Sequence, residues 1–397
     1  MNFQLASRAV LFFGLSAGIL VAQAQDGALE RLKKDLTELA GPKMEGRGNG
    51  QKGLDKAIAY VVASYKKMGI QAQIQPFPYR LRNSQTPAGE FDGHLSNVVA
   101  VIKGKDEKLS SEYIVVGAHL DHLGVRAPAG GGQSAIYFGA DDNASGSAAL
   151  LELARAYQKN PPSRSLIFIH FAGEEWGLLG SRHWVTNPTV GIDSVRFMAN
   201  IDMIGRLDPS TGTMTFNGVG MGPEDLAKAT ALAPIGLNIE ADRGTSPFSG
   251  SSDHAPFAAS NIPTCNFFTG IHPDYHRPGD TLDKINWSGF ATITQYAKTL
   301  ITEYATTANV PVFQPRGNLG MFTAPGAEKP IAARITQGGC AELAGLESGD
   351  LLIYINGDKI NSPKDLAEVL DAMNRGDAVR LVWERNGVRM YGESVLN

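Results

Sequence analysis

The chain has 397 residues, of which 43% are hydrophobic and 19% are charged, a composition that excludes a disordered or collagen-like protein. The 36 Lys and Arg residues nearly balance the 40 Asp and Glu residues, which gives a formal charge of −4 without any run of like charges. We therefore expect no nucleic-acid partner. The length favours more than one domain.

Residues 1–24 are typical of a secretory signal, because Arg8 precedes an apolar run over 9–21 and small residues follow it. The run has 13 residues, too few to cross a bilayer. We predict cleavage before Gln25, export to the periplasm or the medium, and no stable membrane span afterwards. The alternative is a buried N-terminal helix. The only cysteines are Cys265 and Cys340, so no disulfide framework is expected.

Short apolar runs alternate with amphipathic stretches from residue 25 to about residue 310. Runs rich in β-branched and aromatic residues predict strands at 97–103, 113–119, 165–172 and 195–202. Apolar residues at three- and four-residue spacing predict helices at 29–40, 54–68, 144–158 and 288–306. Strands buried on both faces and separated by helices predict an α/β fold, a mostly parallel mixed sheet sandwiched by helices, over 25–310.

The sequence changes character at the proline-containing segment 311–315, and we predict a smaller α+β domain over 316–397. A strand, a hairpin turn, a helix and a strand are predicted in turn at 351–355, 356–357, 363–373 and 379–384. The run AGLESGDLLIYING at 344–357 resembles PDZ domains of exported bacterial proteases, and LGMF at 319–322 is similar to their carboxylate-binding loop. The resemblance implies a peptide or protein ligand; alternatively, the unit only packs against the first domain.

Histidine and acidic residues lie at the ends of three predicted strands. His119 ends the second strand, Glu174 and Glu175 follow the third, and Asp202 ends the fourth. Because the carboxyl ends of parallel strands open on one crevice, we expect these side chains to meet there. Turn residues are the usual occupants of such positions, so packing alone does not explain a histidine and three acids.

Two further segments add candidate ligands. GADDNASG at 139–146 places two acids before a predicted helix, and His276 lies in YHRPGDT at 275–281, a loop by its Pro-Gly. Taken alone, Asp142 or Asn143 is an ordinary N-cap for a helix that begins near Ala144. The acidic pair indicates a metal site only in combination with its neighbours.

These motifs together resemble those of the two-zinc aminopeptidases, metallopeptidase family twenty-eight. The similar segments, in the order expected for that family, are GAHLDH (117–122), GADDNASG (139–146), FAGEEWG (171–177), NIDM (200–203) and YHRPGDT (275–281). EGRG at 45–48 and SSDH at 251–254 are similar as well. The resemblance covers about 44–306 and implies the fold of zinc aminopeptidases, which is phosphorylase/hydrolase-like.

The resemblance implies two bound zinc ions. His119 and Asp202 would hold one, Glu175 and His276 the other, and Asp141 would bridge them. Imidazole and carboxylate are normal zinc ligands, although carboxylate-rich sites also accept cobalt or manganese. Two zinc ions bring about +4, three carboxylates about −3 and a bridging hydroxide about −1, so the site would be nearly neutral when buried.

The same resemblance implies the roles of three further catalytic-site residues. Glu174 would be the general base that takes a proton from metal-bound water and passes it to the leaving amine. Tyr275 would hydrogen-bond the developing oxyanion, or else only pack. Asp121 would orient His119 through its other ring nitrogen. A cis peptide is expected between Asp141 and Asp142.

The remaining histidines and the glycine-rich loop have simpler interpretations. His170 lies in an apolar strand and is expected to be a hydrogen-bonded core residue. His122 and His254 are expected to pack beside the ligands. APAGGGQ at 127–133 lacks the Lys-Ser/Thr of a phosphate loop, which favours a flexible loop beside the cleft.

The leading functional hypothesis is an exported metallo-aminopeptidase that acts on peptides with a free N-terminus. Carboxypeptidases and single-zinc glutaminyl cyclases share the fold and are the alternatives among enzymes. Retention of both His119 and Asp202 argues against a cyclase, whereas a carboxypeptidase stays open. A non-catalytic binding protein that carries a PDZ domain is the alternative from another class, but no ligand or base is missing.

Overall fold

The protein is described by a computed structural model over residues 27–82, 90–127, 131–244 and 250–397. The predicted signal at 1–24 lies outside the described residues, as does 128–130 of the glycine-rich loop. Within the described part, no helix has both the length and the apolar character needed to cross a membrane. Cys265 and Cys340 are buried free thiols.

The first unit alternates strands and helices along the chain. Its helices are α1 (27–39), α2 (Lys52–Lys67), α3 (Gly146–Lys159), α4 (Leu179–Thr186), α5 (Pro223–Ala231), α6 (His254–Ala259) and α7 (Trp287–Thr306). Its strands are β1 (Ala72–Arg82), β2 (Glu90–Ile102), β3 (Tyr113–His119), β4 (Gly124–Arg126), β5 (Ala135–Tyr137), β6 (Ser165–Phe171), β7 (Val195–Ile201), β8 (Thr213–Asn217), β9 (Asn238–Asp242) and β10 (Thr264–Phe268).

Within the part of the chain that the structure describes, eight strands form one mixed sheet in the order β1-β2-β6-β3-β7-β10-β8-β9. The central strands β6, β3, β7 and β10 are parallel, whereas β2 and β8 run antiparallel to their central neighbours. The α/β fold and the four strands expected from the sequence are confirmed. Strands β1, β8, β9 and β10 were not predicted; β1 is an edge strand that contains Pro76 and Pro78, and so lacks the apolar run of a central strand.

Both faces of the sheet are buried, which explains the continuous apolar runs. All seven residues of β6 are buried. Successive residues of β3 point to opposite faces of the sheet. Ile114 belongs to the hydrophobic cluster under helices including α2, α3 and α7, whereas Val115 belongs to the cluster under α4 and α6. The shared register of β3, β6 and β7 makes their carboxyl ends meet at one edge of the sheet.

The second unit has its own core. Its elements are β11 (Met321–Phe322), β12 (Arg334–Ile335), α8 (Cys340–Ala344), β13 (Leu351–Ile355), β14 (Asp358–Lys359), α9 (Pro363–Asp371), β15 (Ala378–Arg385) and β16 (Val388–Val395). A separate hydrophobic cluster around the buried Trp383 fills this unit. The predicted hairpin turn is confirmed, since Asn356 and Gly357 have φ angles of 52° and 98° between paired strands. Ser362 caps α9 by accepting a hydrogen bond from the amide of Asp365.

Arg243 joins the two units. It follows β9, is only 2% exposed, and donates hydrogen bonds of 2.7–3.0 Å to Met221 O, Gln314 O, Asp371 O, Met373 O and Asn374 Oδ1. Two of these acceptors are carbonyls at the C-terminal end of α9, where a cation is favourable. Strand β8 is antiparallel to β10, and β9 is parallel to β8. The carboxyl end of β9, and Arg243 after it, therefore lie at the opposite edge of the sheet from the carboxyl ends of β3, β6 and β7.

We expect Arg243→Met to weaken this junction, because it leaves several buried carbonyl groups without a donor. The free energy of unfolding, measured by urea-induced unfolding, should fall by about 2–4 kcal/mol. Protease cleavage in the connecting segment 307–318 should become faster. The control is Arg375→Met, which alters an exposed side chain beside the same junction and should change stability by less than about 0.5 kcal/mol. Equal stabilities of the two variants would contradict the role given to Arg243.

Candidate metal centre

Four of the candidate ligands gather around one further carboxylate, that of Asp142. His119 Nε2 lies 3.3 Å from Asp142 Oδ1 and 3.3 Å from Asp202 Oδ1. His276 Nε2 lies 3.2 Å from Asp142 Oδ2 and 3.1 Å from Glu175 Oε2. The two oxygens of Asp142 therefore face two different groups of nitrogen and oxygen donors.

Asp141, which the sequence resemblance placed between the two groups, is not there. Its Oδ1 accepts hydrogen bonds from the amide of Gly205 at 2.6 Å and from Ser145 Oγ at 3.2 Å. Its Oδ2 is 3.5 Å from His272 Nε2. The position between the groups thus belongs to the next residue, and spacing alone cannot distinguish two adjacent aspartates.

The backbone after Asp142 explains which aspartate enters the site. Asp142 and Asn143 have non-helical φ/ψ angles within the otherwise helical segment Ala140–Ser145. The cis peptide joins Asp142 to Asn143, not Asp141 to Asp142 as expected from the sequence. Asn143 Oδ1 accepts a hydrogen bond from the amide of Gly146 at 2.9 Å, in the first turn of α3. The side chain of Asn143 is thus held by the first residue of α3, whereas the carboxylate of Asp142 faces the histidines.

Asp121 contacts His119 differently from the expectation. The ring Nδ1 of His119 is 3.0 Å from the main-chain oxygen of Asp121 and 4.0 Å from its carboxylate. The carboxylate instead accepts hydrogen bonds from Asn49 Nδ2 at 2.6 Å and from the amides of Glu174 and Glu175 at 3.2 Å each. Asp121 therefore holds both His119 and the loop after β6, and Asn49 is a supporting residue that the sequence analysis missed.

The adjacent acids Glu174 and Glu175 have opposite electrostatic environments. Burial raises the pKa of Glu174 well above its ordinary value, and the nearby Asp202 and Glu175 carboxylates add to this effect. Burial also opposes ionisation of Glu175, but hydrogen bonds with His122 and His276 outweigh it and lower the pKa. Glu174 is suited to take up a proton, whereas Glu175 is held as an anion.

The shared carboxylate is strongly favoured as an anion. Burial opposes the charge on Asp142, but the nearby imidazoles of His122, His119 and His276 outweigh it and hold its pKa well below the ordinary value. Burial likewise disfavours the charged form of His119, yet Glu174 and Asp202 raise its pKa well above normal. The carboxylates and imidazoles of this pocket therefore favour each other's charged forms.

His122 is closer to the centre than the sequence suggested. Its Nδ1 lies 2.9 Å from Glu175 Oε1 and 3.6 Å from Asp142 Oδ2. Among the described residues, these three side chains form one of two groups whose spacing suits a metal ion. The other group consists of His119, Asp142 and Asp202. In the sequence, the only indication that His122 lies near the ligands was its position three residues after His119 in GAHLDH. That position does not reveal which side chain His122 contacts.

His170 is a buried core residue, as expected. Its Nε2 is 3.0 Å from the hydroxyl of Tyr65 and its Nδ1 is 3.1 Å from Ser147 Oγ. Burial lowers its pKa to about 3, so the ring stays neutral. His254 is buried at the start of α6, next to the segment whose Ser252 hydroxyl donates a 2.7 Å hydrogen bond to Asp202 Oδ2.

Tyr275 lies directly against His276. The two rings stack with centroids 3.8 Å apart and planes inclined by 20°. Burial raises the pKa of the Tyr275 hydroxyl, and the carboxylates of Asp142 and Glu175 raise it further. The hydroxyl therefore stays protonated and is available as a donor near the cluster.

The donor set fits zinc. Imidazole nitrogen and carboxylate oxygen are its usual ligands, and ligand atoms about 2.0 Å from a tetrahedral zinc ion are about 3.3 Å from one another. The distances from His119 Nε2 to Asp142 and Asp202, and from His276 Nε2 to Asp142 and Glu175, are 3.1–3.3 Å and match that spacing. The three buried carboxylates of Asp142, Asp202 and Glu175 lie close together and would repel one another unless positive charge is placed among them.

Comparison with known proteins agrees with this site. The profile of peptidase family M28 matches residues 97–301, the segment that contains all of these donors. The chain belongs to peptidase family M28. A PDZ domain profile matches residues 331–385, which lie in the second unit.

Individual relatives are distant and only partly covered. Aminopeptidase YwaD of Bacillus subtilis is 30% identical over 202 residues, 48% of this chain and 40% of that protein. The chain spans about half the length, or less, of the curated relatives it matches.

An aminopeptidase from Aneurinibacillus sp. strain AM-1 has TM-score 0.58 at 19% identity, covering 72% of this chain and 95% of that chain. A glutaminyl cyclase of Bacteroides thetaiotaomicron has TM-score 0.56 at 20% identity, covering 69% and 97%. Both structures share the fold.

We expect Asp142→Asn to impair metal binding far more than Asp141→Asn, because only Asp142 faces both donor groups. Affinity for zinc should fall by more than about 100-fold in the first variant and by less than about 100-fold in the second, since residues that only support a ligand typically cost about 10- to 100-fold. Titration calorimetry on the metal-free protein measures both. The reverse order would support the assignment of Asp141 as the bridge.

Proposed function

We propose that this protein is an exported two-zinc aminopeptidase that hydrolyses the N-terminal peptide bond of peptides. The observation that carries the proposal is the carboxylate of Asp142, with one oxygen toward His119 and Asp202 and the other toward Glu175 and His276. A shared carboxylate between two complete donor groups suits two metal ions rather than one.

His119 and Asp202 would hold one zinc ion, Glu175 and His276 the other, and Asp142 would contact both; cobalt or manganese could replace zinc. When bound, the two ions would polarise the scissile carbonyl and lower the pKa of water. Asp121 keeps the ring of His119 in place through its main-chain oxygen and fixes the Glu174–Glu175 loop through its carboxylate.

Glu174 would act as the general base and then as the general acid. Its raised pKa, caused first by burial, lets the carboxylate accept a proton from the attacking water and return it to the leaving amine. The hydroxyl of Tyr275 stays protonated and would donate a hydrogen bond to the oxygen on which negative charge develops. Its stacking on His276 restricts the position of the hydroxyl.

The domain limits and the location of the protein are part of this proposal. We assign 1–24 to a cleaved export signal, 25–310 to the peptidase domain and 316–397 to the PDZ-like domain. The separate hydrophobic cluster of the second unit supports a boundary near the segment 311–315. Whether the PDZ-like domain binds peptides or only packs is left open by its fold alone.

The alternatives differ in chemistry rather than in fold. A glutaminyl cyclase needs one metal ion, so a second complete donor group at Glu175 and His276 favours a peptidase. A carboxypeptidase would use the same metal site. A binding protein without activity is disfavoured because the sequence retains Glu174 and every proposed ligand.

We expect Glu174→Gln to retain both metals but to lower turnover about 100- to 10,000-fold, since only the proton carrier is removed. The measurement combines metal analysis with kinetics on an aminoacyl chromogenic substrate. Glu240→Gln, an exposed change on β9, is the matched control and should behave like the unaltered protein. Unchanged turnover in the Glu174 variant would reject the assigned base.

The free N-terminus of the substrate provides the test of aminopeptidase activity. A panel of aminoacyl chromogenic substrates should be cleaved, and cleavage should stop on addition of a chelator and return with zinc. Acetylation of the substrate amine should abolish cleavage, whereas amidation of a peptide's C-terminus should have little effect. Equal cleavage of acetylated and free substrates would contradict the proposal, and loss of cleavage on C-terminal amidation would favour a carboxypeptidase.

A further inference from the structure

Asp280 is a buried acid beside the metal centre that no proposed catalytic step uses. Its side chain is 1% exposed, and it lies four residues after His276 in the same loop. It is not one of the groups whose spacing suits a metal ion among the described residues. Its contacts are instead made with the backbone of the segment that carries Asp142.

Both oxygens of Asp280 accept hydrogen bonds from that backbone. The amide of Asp141 donates to Oδ1 at 3.1 Å and to Oδ2 at 3.0 Å, and the amide of Asp142 donates to Oδ2 at 3.0 Å. In return, the amide of Ala140 donates to the main-chain oxygen of Asp280 at 3.1 Å. One residue therefore fixes three consecutive amides immediately before the cis peptide.

The loop that carries His276 is fixed by the same residue. Within it, the amide of Arg277 donates to Asp274 O and the amide of Asp280 donates to Arg277 O, which makes a compact turn. His276 itself is 35% exposed, whereas His119, at the end of a buried strand, is 2% exposed. The sheet thus positions His119, while the separation of His276 from Asp142 depends on the contact between two loops.

Hydrogen-bond donors surround the carboxylate of Asp280. Arg206 Nη1 lies 4.0 Å from Asp280 Oδ1, and Arg206 also pairs with Asp274 at 3.1 Å. Two backbone amides and one guanidinium therefore face the carboxylate. Replacement of one carboxylate oxygen by an amide group would place a donor against donors, and the loops would move apart.

We propose that Asp280 is a positioning residue that sets the affinity of the second metal position, the one formed by Asp142, Glu175 and His276. The inference rests on the proposed two-zinc function. Asp280 would contact neither metal nor substrate, because its carboxylate faces the amides of Asp141 and Asp142; it would act by holding the Asp142 segment against the His276 loop. The first position, formed by His119, Asp142 and Asp202, has two of its three donors at strand ends and depends on Asp280 less.

The test is titration of the metal-free protein with zinc by calorimetry, and with cobalt by visible absorption, which reports the ligand geometry. The unaltered protein should bind two equivalents. Asp280→Asn should bind the first with unchanged affinity and the second at least about tenfold more weakly, as for residues that orient a ligand. Asp274→Asn, which removes a carboxylate paired with Arg206 and Lys284 in the same loop, is the matched control and should retain both affinities.

Each alternative outcome overturns the inference. Two equivalents with normal affinities in Asp280→Asn would remove the positioning role while leaving the two-zinc proposal intact. Equal weakening of both positions, or equal weakening in Asp274→Asn, would indicate a general effect on the fold. A single equivalent in the unaltered protein would overturn the two-zinc proposal itself. If Asp280→Asn folds poorly by circular dichroism, Asp280→Glu is titrated in its place, with the same expected loss at the second position.

Discussion

The carboxylate of Asp142 is the group on which the rest of this site depends. It is buried, yet its pKa is held well below normal by the surrounding imidazoles, chief among them His122 and His119, despite burial. An anion in such a place is stable only when positive charge faces it from every accessible side. Its two oxygens point to different sets of donors. Cations bound at the two oxygens would therefore interact electrostatically with each other. The chemistry proposed for Glu174 depends on that arrangement.

Around this carboxylate the fold uses two kinds of support. The parallel strands carry His119 and Asp202 directly, because their register aligns the carboxyl ends of β3 and β7. The loops that carry Glu175, His276 and Asp142 have no such ladder, and buried acids hold them instead by accepting hydrogen bonds from main-chain amides. Asp121 does so for the Glu174–Glu175 loop and Asp280 for the Asp142 segment. Acids that bind backbone are thus as much a part of the centre as acids that face the donors.

The sequence predicted the fold better than the details of the site. The central strands and the long helices were predictable because both faces of the sheet are buried and the apolar runs are uninterrupted. The edge strand β1, with its polar and proline residues, had no such signal. At the site, Asp141 was named in place of Asp142 because the choice between adjacent acids depends on backbone angles that no spacing reveals. The roles of Asn49 and Asp280 depend on contacts between distant segments, which periodicity cannot show.

For the proposed aminopeptidase, the attachment of the second unit through Arg243 bears on how long a peptide must be to reach from the metal centre to that attachment. Four strand spacings separate β3 from β9, or about 19 Å at about 4.8 Å each. An extended chain advances about 3.3 Å per residue, so at least about six residues are needed to cover that interval. A dipeptide or tripeptide at the metal centre would therefore be too short to reach the attachment at Arg243. Only a longer polypeptide could reach the metal centre and the attachment of the second unit at the same time, so any effect of that unit on the proposed activity would depend on chain length.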